Sequence, residues 1–248
     1  MTVYTYEFCI PARYDSTRFP GKVLAQDTGK YLIQHTYEQA CKARLPESVL
    51  IAADDERVVR AAESFGAACI LTRADHQSGT DRIAEAVSGL DVDIVVNVQG
   101  DEPEIDPDHI DTLARLLVEN PDIPMATLAT PLRQAEQVAD PNVVKAVVDT
   151  RGRAICFSRS PIPYDRDKGG IGPAGNYLRH IGIYAYRKTF LAQITTLPQS
   201  PLEKLEKLEQ LRVLENGYTI LVGTVEHTAE GIDTPGLRAV GMWDSADG

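Results

Sequence analysis

Residues 94–103 read IVVNVQGDEP: a run from Ile94 to Val98 broken only by Asn97, then Gln99, Gly100 and two adjacent carboxylates, Asp101 and Glu102. A short apolar run without alternation predicts a strand buried on both faces, as in parallel sheets covered by helices. Tyr6 to Ile10 (YEFCI), Val49 to Ala53 and Ala67 to Leu71 read as the three strands before it. Between these runs lie helical patterns. Lys30 to Arg44 places Leu32, Ile33, Tyr37, Ala40 and Cys41 at helical spacing, Asp55 to Phe65 is stopped by Gly66, and a third helix is predicted near Asp81 to Val87. This alternation predicts an α/β fold with a doubly wound, mostly parallel sheet. Ligands of such sheets bind beyond the carboxyl ends of the strands, and the polar segments after Ile10, Leu71 and Val98 fall there.

The second half is less regular. Lys145 to Val148 and Ala154 to Phe157, joined through Asp149 to Gly152, read as a hairpin. Residues 158–179 are rich in Pro and Gly and read as a long loop, a kind that in compact domains is functional or mobile. His180 to Tyr186 (HIGIYAY) reads as a strand. Leu202 to Leu214 reads as one amphipathic helix closing at Asn216-Gly217, with Leu202, Leu205, Leu208 and Leu211 as its core stripe and Glu203, Glu206 and Glu209 as its wet face. Neither repeats nor low-complexity tracts interrupt the pattern.

A chain of 248 residues, 43% hydrophobic and 25% charged, has the composition of a globular protein with a real core. Its 36 acidic and 25 basic side chains leave a formal charge of −11, which repels a phosphate backbone at long range and argues against nucleic acid as a partner. A run of about 18 apolar residues, the minimum for a membrane span, does not occur, so no membrane insertion is expected. The start MTVYTYEF lacks the basic and long apolar regions of a signal peptide. Cys9, Cys41, Cys69 and Cys156 lie far apart without a C-x-x-C pair. Three of them fall in strand-like runs and read as small buried hydrophobes, which suits a reducing cytoplasm.

Gly170 to Gly175 (GIGPAG) fits the text of a dinucleotide fingerprint, but no strand precedes it, no helix follows it and Pro173 sits inside, so that reading is rejected. The loop Ile10 to Lys22 (IPARYDSTRFPGK) places Arg13, Arg18 and Lys22 within ten residues of an otherwise acidic chain. Three cations on a Gly-containing loop suit a triphosphate, and a solvated basic loop is the alternative. Asp101 and Glu102, past a buried strand, suit Mg²⁺ with phosphate oxygens as further ligands, or simply end the strand in a turn. His180 opens its strand beside Arg179 and on its own reads as a packed or solvated residue.

At these motifs the chain resembles the 3-deoxy-manno-octulosonate (Kdo) cytidylyltransferase family of lipopolysaccharide synthesis. IPARYDSTRFPGK, TRADHQSGTDR, VNVQGDEP, FSRSPIPYDRD, LRHIGIYAY, LEKLEQLR and GIDTP occur in family order from the first strand to Pro235. The resemblance implies a Rossmann-like nucleotidyltransferase fold in a single domain over 1–248. Residues up to about 130 would form the nucleotide-binding half and about 131–220 a smaller sugar-binding and dimerisation subdomain, with about 221–248 returning to the main sheet. It further implies that Arg13, Arg18 and Lys22 face the CTP phosphates, and that Arg73, Ser78, Gly79, Thr80 and Gln99 line the cytidine pocket. Asp101 and Asp233 would bind Mg²⁺, and Arg159, His180, Tyr184, Glu209 and Gln210 would hold an acidic eight-carbon sugar. Arg13, Lys22, Asp101 and Asp233 are then the catalytic set, in a cytoplasmic homodimer. The 8-amino analogue of Kdo, a sialic acid, or a non-catalytic nucleotide-binding role are the alternatives. Asp15, Tyr31, Tyr164 and the tail after Pro235 depart from the family pattern.

Overall fold

The computed structural model of this chain describes residues 4–14, 21–26, 28–46 and 48–226. These gather into two compact units, one of residues up to Asp111 and one from Thr112 onward. The fold is α/β with mostly parallel strand pairing.

In the first unit β1 (Tyr6–Ala12), β2 (Ser48–Ala53), β3 (Ala68–Leu71) and β4 (Ile94–Asn97) pair in the order β3-β2-β1-β4, every pair parallel. Phe8, Cys9, Ile10, Ile51 and the whole of β4 are buried, which requires cover on both faces. That cover comes from α1 (Leu32–Ala40), α2 (Glu56–Ser64) and α3 (Gly79–Ala86). Right-handed crossovers carry the chain from β1 to β2 to β3 in one direction, then back past β1 to β4. Helices α1 and α2 therefore lie on one face and α3 on the other. The reversal falls between the carboxyl ends of β1 and β4, the place where such sheets bind ligands.

Local chemistry sets the helix ends. Asp55 caps α2 by accepting from the Arg57 amide at 2.8 Å, and Ser78 and Asp81 form a reciprocal capping box at the start of α3. Two glycines let segments close on β1: a Cβ at Gly100 would lie 2.9 Å from the Pro11 carbonyl oxygen, and one at Gly79 would lie 3.2 Å from the Pro11 ring.

The second unit opens with the later part of α4 (Pro107–Glu119), whose Ile110, Leu113, Ala114 and Leu117 are fully buried at helical spacing. It continues through β5 (Met125–Pro131), α5 (Ala135–Ala139), β6 (Lys145–Val148), β7 (Ala154–Ser158), β8 (Leu178–Arg187), α6 (Lys188–Ile194), α7 (Pro201–Glu206), α8 (Gln210–Glu215) and β9 (Ile220–Thr224). The elements within residues 104–144, 188–200 and 218–226 are not among those the sequence pattern predicts. β5 runs parallel to β9 and antiparallel to β8, and β6 pairs antiparallel with both β7 and β8. The predicted hairpin is present, with Gly152 at φ 75° in its turn.

Two expectations are corrected. Of the strand cysteines only Cys9 is fully buried; Cys69 and Cys156 are partly exposed because β3 and β7 each pair on one side. The single helix over Leu202–Leu214 is two. Lys207 stands in the left-handed region (φ 55°) between α7 and α8, and Arg159 Nε takes the Glu206 carbonyl at 2.7 Å. That carbonyl is thereby lost to the amide that a continuous helix would present to it. The leucine stripe divides accordingly: Leu208 and Leu211 are buried, while Leu202 and Leu205 stay exposed. Nor is Glu203 on a wet face, since it is buried against Arg212 at 2.5 Å.

Candidate functional site

In the first unit the candidate nucleotide residues stand at the carboxyl ends of the strands. Arg13 is exposed directly after β1. Lys22 is buried, and its ammonium meets Asp101 Oδ2 at 2.7 Å; the Asp101 side chain remains one-third exposed. The pair joins the far end of the basic loop to the turn after β4, so a phosphate binding there meets a cation already held in place. Arg18 and Asp233 lie outside the described residues, so the proposed partnership of Asp101 with Asp233 has only one member on view.

Arg73, exposed after β3, has its guanidinium near two carboxylates, Asp75 at 3.4 Å and Glu85 at 3.6 Å. Glu85 also accepts from the Arg73 amide and from His76, so a single carboxylate on α3 gathers the loop. Ser78 spends its hydroxyl on Asp81, and Gly79 and Thr80 form the first turn of α3. The Gly79 and Thr80 amides, at the first two positions of the helix, lack intrahelical acceptors, and Gly79 lies beside Pro11. Gln99 lies just past β4 with its amide near Asn97 Oδ1.

In the second unit the candidate sugar residues are held from below. Arg159 is fixed by two carbonyls, Glu206 through Nε at 2.7 Å and Pro141 through Nη1 at 2.9 Å. Carbonyls orient the guanidinium without neutralising it. His180 is buried on β8 between Phe157 and Tyr184. A bulge in β5–β8 pairing brings the Thr127 hydroxyl to 2.8 Å from the Ile183 carbonyl and 3.0 Å from His180 Nε2. With that hydroxyl donating to the carbonyl, Nε2–H donates to it and Nδ1 keeps its lone pair. Burial pushes the His180 pKa down to about 3, so the ring is a neutral hydrogen-bonding group and a poor proton acceptor. Glu209 is partly exposed just before α8. Gln210 is buried, and its Nε2 is a donor without a hydrogen-bond partner among the described residues.

The family model described as cytidylyltransferase matches residues 8–220. The chain belongs to the cytidylyltransferase family. Among curated relatives, this cytidylyltransferase is 54% identical to the 3-deoxy-manno-octulosonate cytidylyltransferase of Solibacter usitatus (strain Ellin6076), over 91% of this chain and 88% of that one. It is 52% identical to the protein of the same name from Syntrophotalea carbinolica, over 91% and 92%. Among solved structures it resembles CMP:2-keto-3-deoxy-manno-octonic acid synthetase complexed with CTP, with a TM-score of 0.88 and 44% identity, over 94% of this chain and 95% of that one. Among the described residues, no helix of this cytidylyltransferase is long and apolar enough to cross a membrane.

Several residues that organise these groups escape a motif reading. Lys145 of this cytidylyltransferase is wholly buried, and its ammonium donates to the carbonyls of Asp140, Val143 and Arg159 at 2.6–2.8 Å. Burial pulls its pKa down. Glu206 accepts from Ser158 and from the Arg159 amide, and so fixes the base of the Arg159 side chain. Arg82 lies inside the TRADHQSGTDR block and is completely buried. Asp54 stands at the end of β2, where the strand-end rule that draws attention to Asp101 also applies.

Proposed function

We propose that this cytidylyltransferase transfers CMP from CTP to the anomeric hydroxyl of 3-deoxy-manno-octulosonate, releasing pyrophosphate and supplying an activated sugar for lipopolysaccharide. The observation that carries the proposal is the 54% identity over nine-tenths of the chain to a relative bearing that activity in its name. The side chains support it. A preset Lys22–Asp101 pair beyond the carboxyl ends of β1 and β4 suits a triphosphate, and Arg159, whose guanidinium is held by carbonyls, suits a carboxylate.

In this reading Arg13, Arg18 and Lys22 bind the phosphates, and Arg73, Ser78, Gly79, Thr80 and Gln99 surround the cytidine. Arg159, His180, Tyr184, Glu209 and Gln210 orient the sugar acid, with neutral His180 and the buried amide of Gln210 acting on hydroxyls. The anomeric oxygen attacks the α-phosphorus, the bond to the β-phosphate oxygen breaks, and the hydroxyl proton leaves to solvent. With its pKa near 3, His180 is not the base. Catalysis then rests on positioning and on the Arg13 and Lys22 charges facing the leaving pyrophosphate.

Asp101 suits a divalent cation, being an accessible carboxylate, and Asp233 would be its partner. Two carboxylates would leave room for an ion such as Mg²⁺ to complete its shell with phosphate and water. Bound there, Mg²⁺ supplies neutralisation of phosphate charge.

Residues up to about 130 would serve the nucleotide and about 131–220 the sugar and a dimer contact; of the expected return to the main sheet over about 221–248, residues 227–248 lie outside the described residues. Exposed Ile155 on edge strand β7 and exposed Leu202 and Leu205 on α7 support a homodimer. A CTP-consuming enzyme with free cysteines suits the cytoplasm.

The test is pyrophosphate release with CTP, Mg²⁺ and a panel of Kdo, 8-amino-Kdo and a sialic acid. The highest kcat/KM is expected with Kdo. A higher value with another sugar would reassign the substrate, and equal turnover with ATP would remove the cytidine pocket. Failure to turn over any of them would leave a nucleotide-binding module.

A further inference from the structure

We propose that Asp54 is a positioning residue that ties the phosphate loop to the base-reading loop, an inference that rests on both loops serving CTP. Asp54 follows β2, one-tenth exposed, and has no contact role in the reading above. Its Oδ1 accepts from the Tyr14 amide at 2.8 Å, directly after Arg13. Its Oδ2 faces Arg82 Nη2 at 3.4 Å. Arg82 Nη1 in turn donates to Thr72 Oγ1 at 2.7 Å and to the Arg73 carbonyl at 3.3 Å, the two residues that open the base-reading loop. A single carboxylate thus bonds the start of one loop directly and the start of the other through a buried guanidinium.

Tyr14 is well suited to pass this restraint on. Its carbonyl accepts from the Gly21 amide at 2.9 Å, which joins Tyr14 to the residue directly before Lys22. Gly21 adopts φ 69°, and a Cβ there would meet the Tyr14 ring at 3.6 Å. On that ring lies the Arg57 guanidinium, 3.4 Å from its centroid, which Asp55 holds by two hydrogen bonds of 2.8 and 2.6 Å. Asp54 and Asp55 therefore clamp Tyr14 by its backbone and by its ring. A carboxylate needed only to balance buried Arg82 would not have to spend its other oxygen on a loop amide. That division of its two oxygens marks the positioning role.

Asp54→Asn keeps the shape but removes the charge and one acceptor oxygen, so Arg82 loses its ion pair and the bond to the Tyr14 amide loses its charge assistance. Arg82→Lys keeps a charge beside Asp54 and loses the fork to Thr72 and Arg73. The full-length chain and both variants are titrated with CMP and with inorganic tripolyphosphate, and kinetics are run with CTP and Kdo. Asp54→Asn should weaken both CMP and tripolyphosphate by about tenfold, the scale of one charged hydrogen bond. It should raise KM for CTP and leave KM for the sugar acid unchanged. Arg82→Lys should weaken CMP more than tripolyphosphate. The proposal is overturned if Asp54→Asn weakens only one probe or neither, or if the sugar KM rises in step with that for CTP. Should Asp54→Asn not fold, equal weakening of both probes in Arg82→Lys overturns it. A wild-type chain that binds neither CMP nor CTP instead fails the functional reading, and the role given to Asp54 goes with it.

Discussion

In the first unit the ionic side chains near the candidate site stand at strand ends and, apart from buried Arg82 on Asp54, keep some access to water, as Lys22 does on one-third-exposed Asp101 and Arg73 beside Asp75 and Glu85. In the second unit they are sealed in: Lys145 inside three carbonyls, Arg212 on Glu203, and His180 neutral between two aromatic rings. The difference follows from topology. A parallel sheet delivers its loops to one end, where accessible charge can meet a polyphosphate. An antiparallel sheet with short helices presents a face, and polar groups on a face must satisfy one another before they can meet a ligand.

The comparison breaks most sharply at Lys22. Lys22→Ala should reduce turnover by about 10²–10³-fold, the scale of one lost electrostatic contact in the transition state. It should change stability far less, because Asp101 can rehydrate; pyrophosphate release and urea unfolding measure the two. Lys145→Met should do the reverse. Three carbonyls lose their donor at once, so unfolding should become easier by roughly 3 kcal/mol, about 1 kcal/mol for each bond. KM for the sugar acid should also rise as Arg159 loses its backbone anchor. Unchanged stability would mean that the ammonium cage is not what holds this unit.

A third, smaller effect is set by pH. The pKa of His180 is lowered to about 3 in the folded chain, while the unfolded chain protonates near the ordinary 6.5. Between those values the unfolded state binds the extra proton, so stability falls as pH falls through that window. From pH 6.5 to 5 this single group should remove about 1.5–2 kcal/mol, and His180→Gln should lack that component of the acid loss. Parallel slopes for wild type and variant in urea titrations would disprove a buried, neutral ring. Smallest is Leu205→Ser, 79% exposed on α7: within about 0.5 kcal/mol of wild type for the isolated fold. Dimer dissociation, followed by sedimentation, is where it should register.

The strands and helices of the first unit were legible because each carries its own signal. A buried β4 needs an unbroken apolar run, Gly66 ends α2, and Ser78 with Asp81 starts α3. Residues Arg13, Lys22 and Asp101 could be placed beyond strands by the same logic, since a loop after a parallel strand has one end of the sheet to go to. The second unit was read less well for a physical reason. PLEKLEKLEQLR has the period of one helix, and local propensity favours one, but Arg159 takes the Glu206 carbonyl and Glu203 turns inward to Arg212. Both contacts come from outside the local pattern, and together they override it.

Sequence alone therefore determined the parallel βα order, the family and which charged residues follow the strands, because these depend on local periodicity and on contiguous motifs. Only the tertiary structure decided that His180 is neutral, that Lys145 is caged, that Asp54 reaches both loops and that the leucine stripe divides. Charge state and hydrogen-bond partners depend on burial and on residues tens of positions away, and a linear pattern of side chains carries neither distance nor dielectric.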